Sequence, residues 1–362
     1  MMPHLVVFLG VILSVVGGSA AETKPVAKSA NAKSPQTISQ EVKLPEMIQY
    51  AHDLMDSFRH KCPDCDAFSA GEATPSDASD PKTICSKAWA DFYSKDKIDI
   101  RIAFGFIDSE TSKKSDDSLL RAVLIEQLIR PCVRRLPECI GAKAASNPDL
   151  CESNVRACDF KRSESDMNLF TKEIVGPSGR THTVELRISG SSSDEGPSAQ
   201  ARASHEAEKF FHSALRDADV VLYAGHARKG GGPSFTPAAR RANGSIAYEE
   251  YQRDRSGYDK MLSALQTTAH PPKIVGILAC DAANYFRTGL IRTVPRTGLL
   301  LASAADTDRS LLTRAYFALD SILWARCQGG FNESLNTMKD FDGYRLTPMV
   351  LDRFFEAYKP SL

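Results

Sequence analysis

The chain has no surplus of charge of either sign: across 362 residues, 45 Lys and Arg balance 45 Asp and Glu. With no net positive field and no dense basic run, nothing in it steers toward nucleic acid or an anionic lipid surface. It also lacks an apolar stretch of the roughly 20 residues that a bilayer-spanning helix requires. No P-loop and no Gly-x-Gly-x-x-Gly turn opens a helix after a strand, so nucleotide use has no motif behind it. His52, His60, His182, His205, His212 and His270 follow no metal-ligand spacing beyond a loose gap between the first two. Neither a cofactor nor a metal is expected, and no internal repeat divides the chain.

At the amino end stands a shorter apolar run, Leu5 to Val16, followed by Gly17, Gly18, Ser19, Ala20 and Ala21 ahead of Glu22. Small residues at 19 and 21 suit a signal cleavage site, so residues 1–21 read as an export signal, although no Lys or Arg precedes the apolar core. Residues 22–44, rich in Lys, Ser, Ala, Pro and Thr and free of aromatics and cysteine, cannot bury enough surface to order themselves and read as a flexible linker. Pro45 suits a first helical turn, with Ile48, Ala51, Leu54, Met55 and Phe58 at helical spacing after it.

The nine cysteines stand at 62, 65, 85, 132, 139, 151, 158, 280 and 327. In an exported chain such residues form disulfides, and the first seven lie in loop-like sequence where bridges staple irregular structure. An odd count leaves one over; Cys280, at the end of an apolar run, is the candidate, and Cys327 is a candidate to pair with the amino-terminal set. Cys62-Pro63-Asp64-Cys65 has a competing reading as a redox or zinc motif, although no second Cys-x-x-Cys follows.

Strands and helices alternate thereafter, which predicts an α/β fold: a mostly parallel sheet with helices on both faces. Ile98, Ile100, Ile102, Phe104 and Phe106 alternate as a first strand, and a helix is expected from about Asp116 to Arg130, stopping before Pro131. Leu169–Val175 and His182–Ile188 flank Gly176-Pro177-Ser178-Gly179 as a hairpin. Ser204 is expected to cap a helix with Phe210, Phe211, Ala214 and Leu215 on its face. Tyr258 to Leu265 reads as helix and Leu299 to Ser303 as strand, and Asp308 is expected to cap a helix using Leu311, Leu312, Ala315, Leu319 and Leu323. Gly230-Gly231-Gly232-Pro233 implies a loop that either moves or is closely approached by another backbone. Residues 45–165 form a cysteine-rich, disulfide-stapled region that contributes the first strand and helix, and 166–362 form the main α/β region.

Two strands in this series share an ending. Val220-Val221-Leu222-Tyr223-Ala224-Gly225 stops at His226, and Ile274-Val275-Gly276-Ile277-Leu278-Ala279 stops at Cys280. An apolar run that ends in one ionisable residue is a buried parallel strand delivering that side chain to the carboxyl edge of a sheet, where open α/β folds carry their sites. A thiol and an imidazole there make a nucleophile and its base. Arg228, close by, offers a fork of donors for an acidic substrate group or carboxylate terminus, while Tyr285 and Phe286 read as packing residues.

These strand endings resemble the caspase-like cysteine peptidases, whose successive strands end in the catalytic His and then the catalytic Cys; the separation of 54 residues here is comparable with the roughly 50 in caspases. The resemblance spans roughly Ile98 to Trp324. It implies peptide-bond hydrolysis by Cys280 and His226, oxyanion stabilisation by the backbone N–H groups of Ala227 and Cys280, and a specificity pocket to which Asp306 would contribute. The expected partner is a peptide or protein substrate, and the expected location is outside the cytoplasm. Ala227 stands where the family usually has Gly, and Asp281 follows the thiol. Two other readings therefore stay open: a catalytically inactive secreted binding module, and a thiol oxidoreductase acting through Cys62 and Cys65.

Overall fold

Bulky apolar runs bounded by Gly, Pro and Asp give short strands buried on both sides, and five of the eight strands among the described residues pair in parallel. The computed structural model describes residues 81–108, 116–132, 155–302, 308–336, 349 and 351–359. The expected signal, linker and first helix, with Cys62, Cys65, Cys139, Cys151 and Asp306, lie outside these residues.

The strands are β1 (Lys97–Phe104), β2 (Lys161–Arg162), β3 (Leu169–Val175), β4 (Thr181–Gly190), β5 (Val220–Ala224), β6 (Ile274–Leu278), β7 (Gly298–Leu301) and β8 (Leu351–Asp352). They form one sheet in the order β2-β3-β4-β1-β5-β6-β7-β8. β4, β1, β5, β6 and β7 pair in parallel, whereas β2 with β3, β3 with β4 and β7 with β8 pair antiparallel, leaving β2 and β8 at the edges. The expected hairpin is β3–β4, closed by Gly176 N–H donating to Arg180 O at 2.9 Å. Antiparallel strands thus extend a parallel centre in which β1 lies between β4 and β5.

The helices are α1 (Pro81–Phe92), α2 (Asp117–Ile129), α3 (Pro197–Asp217), α4 (Tyr248–Asp254), α5 (Ser256–Gln266), α6 (Ala282–Thr293), α7 (Asp308–Leu323) and α8 (Gln328–Asn336). Alternation along the strands divides the core in two. Val220, Leu222 and Ala224 of β5 join Trp89 of α1, Leu124 of α2 and Phe317 of α7 on one face. Val221 and Tyr223 join Phe211 of α3, Met261 of α5 and Phe286 of α6 on the other. Each fully buried Leu or Phe in these layers contributes about 1.5–3 kcal/mol of transfer free energy.

One helix begins earlier than its polar residues suggest. Pro197 occupies the first turn of α3, where its fixed φ suits the helix and its missing N–H is no loss, so Ser204 falls in mid-helix instead of capping it. Ser204 is buried; its hydroxyl donates to Ser191 O at 3.4 Å and accepts from Gln200 Nε2 at 2.9 Å. Asp308 is likewise the first residue of α7.

Among the described residues two disulfides are present, Cys85–Cys327 and Cys132–Cys158, with Cα atoms 5.4 and 5.2 Å apart, and Cys280 remains a thiol. Among the described residues no helix is long and apolar enough to cross a membrane, and no group of three or more His, Cys, Asp or Glu is disposed to hold a metal ion.

Candidate functional site

Parallel pairing fixes where the histidine and the thiol emerge. Ala224 of β5 is the register partner of Leu278 of β6, and Gly225 N–H prolongs the ladder by donating to Leu278 O at 3.2 Å. His226 and Cys280 each stand two residues beyond that pair, so they leave adjacent strands, about 4.8 Å apart, at the same carboxyl edge. Both are partly exposed while the strands beneath them are buried throughout.

Cys280 is two residues ahead of α6, whose amino end favours negative charge. Asp281 turns the chain into that helix through a left-handed conformation (φ 55°, ψ 27°), and its Oδ1 accepts from Asn284 Nδ2 at 2.5 Å. Ala283 N–H donates to Ala302 O at 2.9 Å, tying the first turn of α6 to the end of β7.

His226 is held by a residue that the sequence did not single out. Its Nε2 donates to the backbone carbonyl of Asp108 at 2.6 Å and lies 3.8 Å from the Asp108 carboxylate. A carbonyl can only accept, so in the neutral ring the proton sits on Nε2 and Nδ1 keeps its lone pair. Burial pulls the imidazole below its ordinary pKa of 6.5, and the Arg228 guanidinium pulls the same way; the hydrogen bond and carboxylate of Asp108 oppose them without prevailing. His226 is therefore a neutral base with an available Nδ1.

Asp108 reaches this edge because β1 pairs with β5, Phe104 opposite Ala224. Gly105 N–H donates to Ala224 O at 2.9 Å and Phe106 N–H to Ser234 O at 3.0 Å, carrying the chain past the end of the strand. The Asp108 carboxylate is 2% exposed. It pairs with Arg228, accepts from Ala238 N–H at 3.0 Å and lies 3.7 Å from Arg240 Nη2. The available signal was a third apolar strand running on to an ionisable residue, Phe104-Gly105-Phe106-Ile107-Asp108, the pattern already seen at His226 and Cys280.

Arg228, expected as a substrate contact, has a fully buried side chain turned inward onto Asp108. Its role in this geometry is to hold the loop after His226. That loop is strained: Arg228 and Lys229 take φ of 46° and 49°, a region costly for residues with a Cβ. Gly230 and Gly232 N–H both donate to Ala227 O, at 3.0 and 3.3 Å. Gly232 (φ 112°) packs so tightly under Gly257 and Tyr258 that a side chain there would meet the Tyr258 backbone nitrogen, which makes the glycine run a close approach between backbones. Tyr223, buried, donates to His226 O and Ser234 O at 3.1 Å each and accepts from Ser234 N–H at 2.9 Å. A Cβ at Gly225 would sit 2.5 Å from that hydroxyl, so glycine is required between Tyr223 and His226.

Ala227 has ordinary right-handed dihedrals (φ −79°, ψ −12°), and its amide donates to no acceptor among the described residues. Tyr285 and Phe286 pack against each other with centroids 6.1 Å apart, and Phe286 is buried. The edge thus carries a thiol and an oriented imidazole on adjacent strands, the two residue types that nucleophilic attack on an acyl carbon calls for. Comparison with protein-family models, with curated proteins and with solved structures gave no match to this chain.

Proposed function

We propose that the chain is an exported cysteine endopeptidase of the caspase-like kind, acting on a peptide or protein substrate through Cys280 and His226. The observation that carries this reading is the shared offset of the two residues beyond paired parallel strands, with the His226 ring oriented by the Asp108 carbonyl. The two disulfides accord with a chain that folds in an oxidising compartment.

In the reaction, the Cys280 sulfur gives its proton to His226 Nδ1 and bonds to the peptide carbonyl carbon, and the carbonyl oxygen becomes an oxyanion. The N–H groups of Ala227 and Cys280 stabilise that charge; loss of one such donor costs about 2.7–4 kcal/mol. The C–N bond then breaks, and His226 returns the proton to the departing amine. Water, deprotonated by His226, attacks the thioester and releases the acid and the thiol. Arg228 and Asp108 act on the ring and its loop and do not touch the substrate.

Purified Cys280→Ala and His226→Ala, each with an unchanged circular dichroism spectrum, are expected to lose turnover of a fluorogenic peptide library; full turnover in either variant rejects the proposal. One observation favours a second reading, a secreted binding module with the same fold: the Asp281 carboxylate follows the thiol and opposes thiolate formation. Selective alkylation of Cys280 by a peptide electrophile, abolished by His226→Ala, argues for the enzyme, and an unreactive Cys280 for the module.

A further inference from the structure

The strands that end at His226 and Cys280 begin at a cavity of their own. The segments leading into β1, β5, β6 and β7, with the turn that follows β8, enclose about 990 Å3 at the amino edge of the sheet, a volume in the range of small-molecule sites. Pro272 and Phe354 line it as buried residues, and Pro271 and Pro295 as exposed ones. Three prolines fix the backbone there, so this apolar surface is stiff and loses little freedom when covered.

Most charges around the cavity are neutralised in pairs. Lys95 meets Asp219 at 2.5 Å, and Lys273 meets Asp91 at 2.6 Å, where the Tyr358 hydroxyl also donates to Asp91 at 2.5 Å. Arg353 lies 4.0 Å from Glu356 and donates from Nε to Pro295 O at 3.1 Å. Asp217, exposed, accepts from the Ser213 hydroxyl at 3.2 Å. Three polar side chains on the wall are left over: Arg296 and His270 are exposed and form no ion pair among the described residues, and Asp217 keeps its charge beside the Ser213 hydroxyl. The register Ile274 to Gly298 brings Arg296 beside Pro272, and Thr297 Oγ1 donates to Pro272 O at 2.8 Å. The loops that carry His270 and Arg296 are thereby clamped together.

We propose that this cavity is a second binding site, distinct from the cysteine and histidine, for a small organic carboxylate. The guanidinium of Arg296, a planar fork that matches a carboxylate, takes the charge together with His270, and the apolar body of the ligand lies on Pro271, Pro295 and Phe354. Because the paired charges already satisfy one another, a ligand with charge alone or with an apolar group alone meets only half of the site.

The test uses the full-length protein and three probes: benzoate, benzamide with the same ring and no charge, and inorganic phosphate with charge and no ring. Calorimetric titration is expected to give saturable benzoate binding with slowed amide exchange at residues 269, 270, 273, 296, 297 and 353–358, and about tenfold weaker binding of each of the other two. Arg296→Gln, a change at an exposed side chain, should weaken benzoate about fivefold and leave the melting temperature unchanged. Absent or non-saturable benzoate binding, equal binding of benzamide or phosphate, or indifference to Arg296→Gln overturns the site. Cys280→Ala should bind benzoate as the parent does; loss of binding there would put the ligand at the opposite edge and also overturn the site, without bearing on peptide cleavage.

Discussion

An imidazole largely desolvated beside a guanidinium resists protonation, and His226, although partly exposed, meets both conditions. As the base of the proposed dyad it must be neutral to act, so the acid limb of kcat/KM against pH is expected to fall below the ordinary 6.5, and a limb above 6.5 would contradict the environment described. The same displacement bears on stability. The unfolded chain takes up a proton at this position more readily than the folded chain, so the stabilisation by neutral His226 is complete above 6.5 and is lost as pH falls through the lower folded value. Urea titrations across that window should show a smaller acid loss in His226→Gln than in the parent. The Asp108–Arg228 pair gives a second test at this scale. Asp108→Asn leaves a guanidinium buried with no counter-charge on its bonded partner, and a broken buried pair costs about 3–5 kcal/mol. Adding Arg228→Met should recover much of that loss, because removing both charges of a buried pair is often close to neutral. If the double variant is no more stable than Asp108→Asn, the pair is not what holds the loop.

The loop from Ala227 to Gly232 shows how unequal two small residues become once the backbone is known. Ala227→Gly should change peptide turnover by less than about twofold, since φ of −79° is open to any residue and glycine keeps the same backbone N–H. Gly232→Ala should destabilise by about 2 kcal/mol or more, read in a thermal melt, because φ of 112° and the Tyr258 backbone both exclude a Cβ. The run Gly230 to Pro233 announced such a place, as the uninterrupted apolar runs announced β5 and β6; strands buried on both faces are legible because nothing but apolar side chains suits them. The start of α3 was not legible from Ser204, since a proline in the first turn competes with a hydroxyl further on and tertiary packing decides between them. Asp108 was hidden for another reason. Its partnership with His226 depends on β1 lying next to β5, a matter of strand order that no local pattern contains. The inward turn of Arg228 follows from the same neighbour, so the expected substrate contact could be judged only once the order was known.

At the scale of the molecule, the first described helix is fastened to the last described segments. Cys85 of α1 bridges to Cys327 across a sequence separation of 242 residues. Trp89 Nε1 donates to Arg326 O at 3.0 Å, Tyr93 Oη to Ile322 O at 2.7 Å, and the Trp89 ring packs on Phe354 with centroids 4.7 Å apart. These contacts lie away from the carboxyl edge that bears His226 and Cys280, so the bridge is expected to govern stability and not chemistry. Closing so long a loop restricts the unfolded ensemble, and the chain-entropy relation puts the effect at about 5.5 kcal/mol. The hydrogen bonds of Trp89 and Tyr93 do not use the bridge sulfurs, so the expected damage is confined to that unfolded-state term. Cys85→Ser with Cys327→Ser should therefore lower the urea midpoint by an amount equivalent to about 5 kcal/mol while preserving turnover of a peptide substrate at temperatures well below the new melt. A midpoint that does not move would mean the unfolded chain is held compact by other means, and turnover that falls in step with stability would mean the two ends of the chain shape the site after all.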